Sequence, residues 1–143
     1  MRLADVNLLL YAVDGTSPRH QRARAWLQGR LSGTETFAFA WSTLHGFVRL
    51  STKAAVFHDP LSTPEAFEMV QGWLARPQTV ILDPTERHLT IMRELLEPLG
   101  TAGNLVTDAH LGALAIEHGA TLESSDHDFG RFPGLRWVDP LMD

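Results

Sequence analysis

Four aspartates lie where apolar segments end or where a helical pattern begins: Asp5, Asp108, Asp126 and Asp128. Acids that come from separate segments and meet at one edge of a sheet offer hard oxygen ligands. Mg²⁺ binds such ligands and keeps several of its waters, so two or three carboxylates suffice. A metal held in this way activates water and neutralises charge on a scissile phosphate. The pattern therefore favours a divalent-metal site formed by these aspartates.

Each of these acids also has a local explanation. Asp5 can cap the first helix, and Asp108 suits the first turn of a helix because acids are stabilised at helix N-termini. Asp126 and Asp128 can be turn formers. Taken singly, the local role is the better explanation for each residue. Taken together, their matching positions at the ends of separate elements favour a shared site.

The elements that must position the acids alternate between short apolar runs and longer helical periodicities. Strands are predicted at residues 2–5, 36–40, 79–82, 120–124 and 135–138. Helices are predicted after Asp5, over 18–31, from N-caps at Ser42, Thr63 and Thr85, and over 105–118, with a left-handed end at Gly119. This alternation predicts an α/β fold with a mostly parallel central sheet and helices on both faces. Ligands of such sheets bind beyond the carboxyl ends of the strands.

The composition is that of one ordinary domain spanning residues 1–143, with 44% hydrophobic and 20% charged residues. There is no cysteine, which excludes disulfides, thiolate metal sites and cysteine nucleophiles. The apolar run at 8–13 is too short to span a membrane and lacks the features of a signal peptide, so a cytoplasmic location is expected. The net charge of −5 argues against nonspecific coating of nucleic acid. Four arginines of the second helix are expected on a solvated face: Arg19, Arg22, Arg24 and Arg30.

Three motifs, in this order and spacing, resemble those of PIN domains. Residues 3–9 contain Asp-x-Asn beginning at Asp5, residues 107–115 contain Asp-Ala-x-Leu beginning at Asp108, and residues 124–132 contain Ser-x-Asp-x-Asp-Phe beginning at Ser124. The stretches 49–52, 60–61 and 133–137 resemble one branch of the VapC toxins. The likeness extends over essentially the whole chain.

The resemblance implies a PIN-like, three-layer fold and an endoribonuclease that uses Mg²⁺ or Mn²⁺. It also implies a homodimer that a small VapB-like antitoxin holds inactive. It gives metal-binding roles to Asp5 and Asp108. Asp126 would complete the acidic cluster, and Asp128 is a weaker member that would orient its loop. All four are the candidate catalytic residues.

One position departs from the family pattern. PIN domains have a glutamate early in the helix after the second strand, and here that position is Gly46. Either three aspartates suffice, or another residue such as His45 or Glu117 contributes, or activity is weak. His45 could shuttle protons near its ordinary pKa, although a packing or surface role is the simpler interpretation, as it is for His110, His118 and His127. The alternative function is a PIN-like domain that binds RNA or a partner without cutting.

Phosphoryl transfer on an aspartate is the other enzyme class that uses acids at the ends of parallel strands. Dehalogenase-type enzymes need Asp-x-Asp after the first strand, whereas this chain has Asp5-Val6-Asn7. Response-regulator receivers need a lysine after a late strand, and the single lysine here is Lys53. Both classes fit the sequence poorly.

Overall fold

Short strands alternate with helices through residues 1–142, the part of the chain that the computed structural model describes. The strands are β1 (Arg2–Ala4), β2 (Phe37–Phe39), β3 (Thr79–Ile81), β4 (Thr121–Glu123) and β5 (Trp137–Val138). The helices are α1 (Val6–Val13), α2 (His20–Ser32), α3 (Trp41–Ser51), α4 (Thr63–Leu74), α5 (His88–Leu96) and α6 (Val106–His118). Short 3₁₀ helices occupy Glu97–Leu99, Gly103–Leu105 and His127–Arg131. Within these described residues, no helix has the length and apolar character needed to cross a membrane.

The strands form one sheet in the order β3-β2-β1-β4-β5, and all four neighbouring pairs are parallel. The predicted α/β fold class is confirmed, and the sheet is wholly parallel. The chain adds β2 and β3 on one side of β1 and then crosses to add β4 and β5 on the other. The order thus reverses between β1 and β4, and the crevice at such a reversal is where ligands of open α/β sheets bind.

Both faces of the sheet are covered by helices. Because successive side chains of a strand point to opposite faces, Leu3 joins one apolar core and Ala4 joins the other. The first core packs α5 and α6 against the sheet through Ile91, Leu95, Ala109, Ala113 and Leu114. The second packs α1 to α4 against the opposite face through Leu8, Leu27, Phe39, Phe47 and Trp73. The result is the expected three-layer arrangement.

The start of α4 differs by one residue from the prediction. Ser62, rather than Thr63, is the N-cap. Its Oγ accepts a hydrogen bond from the Glu65 backbone N–H at 3.2 Å, and the Glu65 carboxylate accepts one from the Ser62 N–H at 2.9 Å. This reciprocal capping box satisfies two donors that the first turn leaves without helical partners. Thr63, which cannot make this pair of bonds, therefore becomes the first helical residue.

Two other predicted caps were wrong. Ser42 lies inside α3, which begins at Trp41 after an extended Ala40. Thr85 precedes α5 by three positions, and its hydroxyl donates to the Glu117 carboxylate at 2.6 Å. The Thr85 side chain, which was predicted to cap α5, therefore bonds to a residue of α6 instead. The end of α6 is as predicted, because Gly119 adopts a left-handed conformation with φ of 66°.

A buried ion pair attaches α2 to the carboxyl end of β4. The Glu123 side chain is 1% exposed and accepts two hydrogen bonds from Arg30, at 2.6 and 2.8 Å. Trp26 Nε1–H donates to the same carboxylate at 3.1 Å. Arg30 was expected on a solvated face with its neighbours; it instead reaches inward because a carboxylate at the end of a buried strand requires a cationic partner.

Candidate functional site

Asp5 and Ser124 meet where the strand order reverses. The parallel register pairs Ala4 with Glu123, so the residues that follow them, Asp5 and Ser124, lie side by side. Ser124 Oγ donates to Asp5 Oδ2 at 2.6 Å and accepts from the Asp126 backbone N–H at 2.9 Å. One buried hydroxyl therefore links the segments that carry two of the predicted site residues.

Asp5 caps α1, which is the local role that its position allowed, and its carboxyl also lies close to another acid. Its Oδ1 accepts from the Val6 N–H at 2.7 Å, which caps α1. Burial raises the pKa of the Asp5 carboxyl, the hydrogen bonds from Ser124 and Val6 oppose that shift, and the negative charge of Asp126 adds to it. The carboxyl is thus enclosed beside another acid, which favours its neutral form unless a cation is present.

Asp108 lies in the first turn of α6 and is half-buried. Burial raises the pKa of its carboxyl to about 6, with further contributions from the negative charges of Asp126, Asp5 and Asp128. All four predicted aspartates therefore contribute to one electrostatic environment. Among residues 1–142, none of the four forms an ion pair with a basic side chain.

Asp126 and Asp128 shape the loop after β4. Asp126 Oδ1 accepts from the Asp128 N–H at 2.9 Å and so caps the 3₁₀ helix His127–Arg131. The turn-forming role that the sequence allowed is present. It coexists with the electrostatic effect of both acids on Asp108.

A cavity of about 50 Å³ is lined by the two aspartates for which the resemblance to PIN domains implies metal-binding roles. Asp5 and Asp108 line it together with Val6, Ser42, Thr43, Thr107 and Leu111. Such a volume has room for a small ion with some of its waters. Within residues 1–142, no three acidic or histidine side chains are placed as a ready set of metal ligands. Two carboxylates that line one cavity are a donor set to which Mg²⁺ could bind while keeping several of its waters.

Several hydroxyl groups in and around this cavity were not predicted to belong to the site. The lining includes Ser42, Thr43 and Thr107. Ser124 donates a hydrogen bond to the Asp5 carboxylate. The available signal was the position of Ser124 at the end of a strand and of Thr107 next to Asp108. Neither signal distinguishes a hydroxyl at the site from an ordinary polar residue at the end of an element.

His45 and Glu117 lie elsewhere. His45 lines a different, largely apolar groove and packs near Trp41, with ring centroids 6.0 Å apart. The Glu117 carboxylate accepts from the Thr85 N–H at 2.8 Å and from its hydroxyl at 2.6 Å, and it also contacts His88. Neither residue replaces the missing acid in the cavity of Asp5 and Asp108.

Gly46 lies next to that cavity. A Cβ at this position would meet Val6 Cγ2 at 3.5 Å, which is an ordinary contact, and Val6 itself lines the cavity. The glycine is thus not required by tight packing. A longer side chain there would begin beside Val6, which lines the cavity.

Residues 2–135 match the PIN domain family. The chain is 49% identical over 140 residues to Ribonuclease VapC37 of Mycobacterium tuberculosis, an alignment that covers 98% of this chain and 97% of that protein. It is 44% identical over 143 residues to Ribonuclease VapC33 of the same species, over the full length of both.

Solved structures show the same fold at lower identity. A chain in the crystal structure of VapBC2 from Rickettsia felis, bound to a DNA fragment from their promoter, superposes with a TM-score of 0.69 at 20% identity, covering 96% of both chains. A chain of DNA-bound VapBC from Salmonella typhimurium gives 0.69 at 18% identity, covering 97% of both. The chain therefore belongs to the PIN domain family and, within it, to the VapC family.

Proposed function

We propose that this protein is a toxin-type endoribonuclease that hydrolyses RNA phosphodiester bonds with a divalent ion, Mg²⁺ or Mn²⁺, bound by Asp5 and Asp108. The observation that carries the proposal is that these two carboxylates share one cavity and have no basic partner among residues 1–142. The family relationship supports the substrate, because the similar proteins from Mycobacterium tuberculosis are named ribonucleases.

The roles of the residues follow from their contacts. Ser124 and the Val6 N–H fix the Asp5 carboxylate by one hydrogen bond to each oxygen. Asp108 must lose its proton to act as a ligand, and a nearby cation favours that loss. Asp126 completes the acidic cluster, and its backbone N–H is linked to Asp5 through the Ser124 hydroxyl. The backbone N–H of Asp128 donates the hydrogen bond to Asp126 that shapes the loop, and the Asp128 carboxylate adds its charge to the cluster. When bound, the ion would activate water and neutralise charge on the scissile phosphate.

The direct test is an RNA cleavage assay on the purified protein with Mg²⁺ or Mn²⁺ and with EDTA. Cleavage is expected with either ion and is expected to stop on chelation. Calorimetric titration of Mn²⁺ should show binding to the wild-type protein. Cleavage that persists in EDTA would exclude the metal-dependent reaction, and Mn²⁺ binding without cleavage of any RNA would favour the noncatalytic alternative.

Gly46 is the specific observation behind that alternative, because it removes the acid that the family has there. Gly46→Glu is expected to fold, since the new Cβ meets no tight contact. Replacing a helical glycine by alanine adds about 0.5–1 kcal/mol of stability, and in the glutamate variant repulsion from the acids offsets part of that gain. We expect Mn²⁺ to bind about tenfold more tightly, a difference of about 1.4 kcal/mol, because affinity rises with the number of charged ligands.

Gly46→Ala is the matched control, because it gives the helix its Cβ without a carboxylate. Melting curves and Mn²⁺ titrations of both variants separate the two effects. Equal Mn²⁺ affinity in the alanine and glutamate variants would show that position 46 does not reach the acids.

We further propose that the protein forms a homodimer and is held inactive by a small VapB-like antitoxin. The acidic site would accept an arginine or lysine of the antitoxin, since opposite charges steer association. An apolar groove of about 310 Å³ between α3 and α4 offers a surface for a partner, with Trp41 and Phe67 each 50% exposed.

Light scattering on the purified protein is expected to give twice the chain mass of 15.9 kDa. Affinity purification of the tagged toxin from its native host is expected to recover a small basic-tailed protein. A monomer in solution, together with no recovered partner, would contradict both parts of this proposal.

A further inference from the structure

Three helices begin at the cavity lined by Asp5 and Asp108: α1, α3 and α6. The N-terminus of a helix carries a partial positive charge, because its first N–H groups have no helical acceptor. Asp5 accepts from the first N–H of α1, and Asp108 lies in the first turn of α6. The first turn of α3 contains no acid. Of these three helix ends, the start of α3 is therefore the one whose positive charge has no carboxylate of its own.

The parallel strands place the start of α3 next to Asp5. The register pairs Leu3 with Ala38. Two residues further along these neighbouring strands, Asp5 lies beside Ala40, which directly precedes α3. Ala40 has an extended backbone and no side-chain oxygen that could cap the helix. Among residues 1–142, no group accepts a hydrogen bond from the Ser42 N–H, and Ser42 lines the cavity. This donor is thus available to a ligand.

The side chain of Thr43 adds a second donor, which is almost buried and has no partner. Thr43 is 4% exposed and lines the same cavity. Within the described residues, its hydroxyl forms no hydrogen bond, and the only side-chain polar atom that is wholly buried without a partner belongs to Ser51. The Thr43 hydroxyl is therefore accessible, at the surface that borders the cavity. A hydroxyl shielded from bulk water costs free energy until it forms a hydrogen bond, so a group that enters the cavity is expected to accept one from it.

α3 also brings no negative charge to the cavity. Gly46, where PIN domains have a glutamate, lies three positions after Thr43 and so on the same face of the helix. The cavity volume of about 50 Å³ is below the range of about 300–1,000 Å³ for ligand pockets. It has room for the oxygens of a phosphate but not for a base. The donors of α3 therefore suit an oxygen of the RNA backbone.

We propose that the first turn of α3 binds the scissile phosphate of RNA, with the Ser42 N–H and the Thr43 hydroxyl donating hydrogen bonds to its non-bridging oxygens. The inference rests on the proposed ribonuclease function. A chain with net charge −5 and four acids in one environment repels a polyanion. A helix N-terminus is an anion-binding site, and this one lies at the acids, so it would offset part of that repulsion. The contact is with the backbone and is therefore independent of base sequence.

Thr43→Val tests this subsite, because valine has the shape of threonine without the hydroxyl. The variant should fold, since the hydroxyl forms no hydrogen bond in residues 1–142 that the change would break. Inorganic phosphate is added to the whole protein in Mg²⁺ while NMR follows the Ser42 backbone amide, with sodium chloride at equal ionic strength as the blank. The wild-type amide should shift to saturation. Thr43→Val should bind phosphate about tenfold more weakly, as expected for the loss of a hydrogen bond to a charged group.

Thr43→Ser and Ser51→Ala are the matched controls. Thr43→Ser keeps the hydroxyl and should bind phosphate as the wild type does. Ser51→Ala removes an unpartnered hydroxyl at the other end of α3, outside the cavity, and should change neither phosphate binding nor cleavage. In cleavage assays Thr43→Val should lower kcat/KM by about tenfold. Its Mn²⁺ affinity should equal that of the wild type, because the hydroxyl binds the phosphate and not the ion.

Three results would overturn the subsite. A Ser42 amide that does not respond to phosphate, in a wild type that binds Mn²⁺ and cleaves RNA, would do so while leaving the proposed ribonuclease intact. Equal phosphate affinity in the wild type and Thr43→Val would exclude the hydroxyl as a donor. Mn²⁺ binding that is about tenfold weaker in Thr43→Val would assign the hydroxyl to the ion or its waters. A wild type that neither binds Mn²⁺ nor cleaves RNA would instead overturn the proposed function together with the subsite.

Discussion

Asp108→Asn is expected to abolish RNA cleavage and, at pH 7, to raise the melting temperature of the protein. The loss of activity should be about 100-fold or more, because metal assistance contributes several kcal/mol and each 1.36 kcal/mol is a factor of ten in rate. The gain in stability arises because burial, together with the negative charges of Asp126, Asp5 and Asp128, raises the pKa of the Asp108 carboxyl to about 6, so the ionised form is unfavourable in the fold.

The sign of the stability effect depends on pH. A carboxyl whose folded pKa lies above its unfolded value of 3.8 destabilises the fold fully above about pH 6, and that cost disappears as the pH falls from about 6 to 3.8. The shift corresponds to at most ~3 kcal/mol, which solvent screening of a half-exposed group reduces to about 1 kcal/mol. We therefore expect a rise of about 2–4 °C at pH 7 and almost none at pH 4.

Melting curves at both pH values, with cleavage assays at pH 7, check this prediction. Asp83→Asn is the control, because Asp83 is an exposed acid just beyond β3 at the same edge of the sheet and outside the cavity. It removes the same charge and should change neither activity nor stability appreciably. Wild-type cleavage by Asp108→Asn would refute the site assignment, and a lower melting temperature at pH 7 would refute the proposed repulsion among the acids.

Glu123→Ala is expected to lower the free energy of unfolding by about 3 kcal/mol or more. Removing one partner of a buried ion pair leaves the other charge without compensation. Here the variant also leaves Trp26 Nε1–H without its acceptor. The hydrogen bonds that Arg30 donates to Glu123 are the main reason that the pKa of Arg30 is raised. At about 2–4 °C per kcal/mol, the melting temperature should fall by roughly 6–12 °C.

Urea unfolding of Glu123→Ala and Glu35→Ala measures this effect against a matched acid. Glu35 contacts the same Arg30 at 3.4 Å, but its side chain is 45% exposed. An exposed ion pair contributes little because water screens it, so Glu35→Ala should unfold almost as the wild type does. Equal losses in the two variants would mean that the burial of Glu123 is not what makes its ion pair strong.

The order and type of the elements could be predicted because they depend on local periodicity. Strand residues alternate between two buried faces, and helical residues repeat at three and four positions. The position of the aspartates could also be predicted, because the carboxyl ends of parallel strands coincide at one edge of a sheet. Their shared electrostatic environment agrees with that reasoning. Their role as metal ligands stays a prediction.

The remaining features depend on contacts between residues far apart in sequence. Arg30 and Glu123 are separated by 93 positions, and the local sequence around neither residue predicts that they form an ion pair. The Thr85 hydroxyl turns to Glu117 rather than capping α5 for the same reason. The capping box at Ser62 is different, because Ser-x-x-Glu is visible in the sequence. That boundary could have been predicted correctly, whereas the long-range contacts could not.

The central position of β1 has a consequence for how the protein folds during synthesis. β1 pairs with β2, which begins at residue 37, and with β4, which begins at residue 121. At about 5–20 residues per second, residue 121 is made roughly 6–24 seconds after residue 2. During that interval one side of β1 exposes unpaired backbone groups that can recruit another chain. A nascent chain stalled before β4 also lacks Ser124 and Asp126 beside Asp5, so a partly synthesised chain cannot assemble its acidic site.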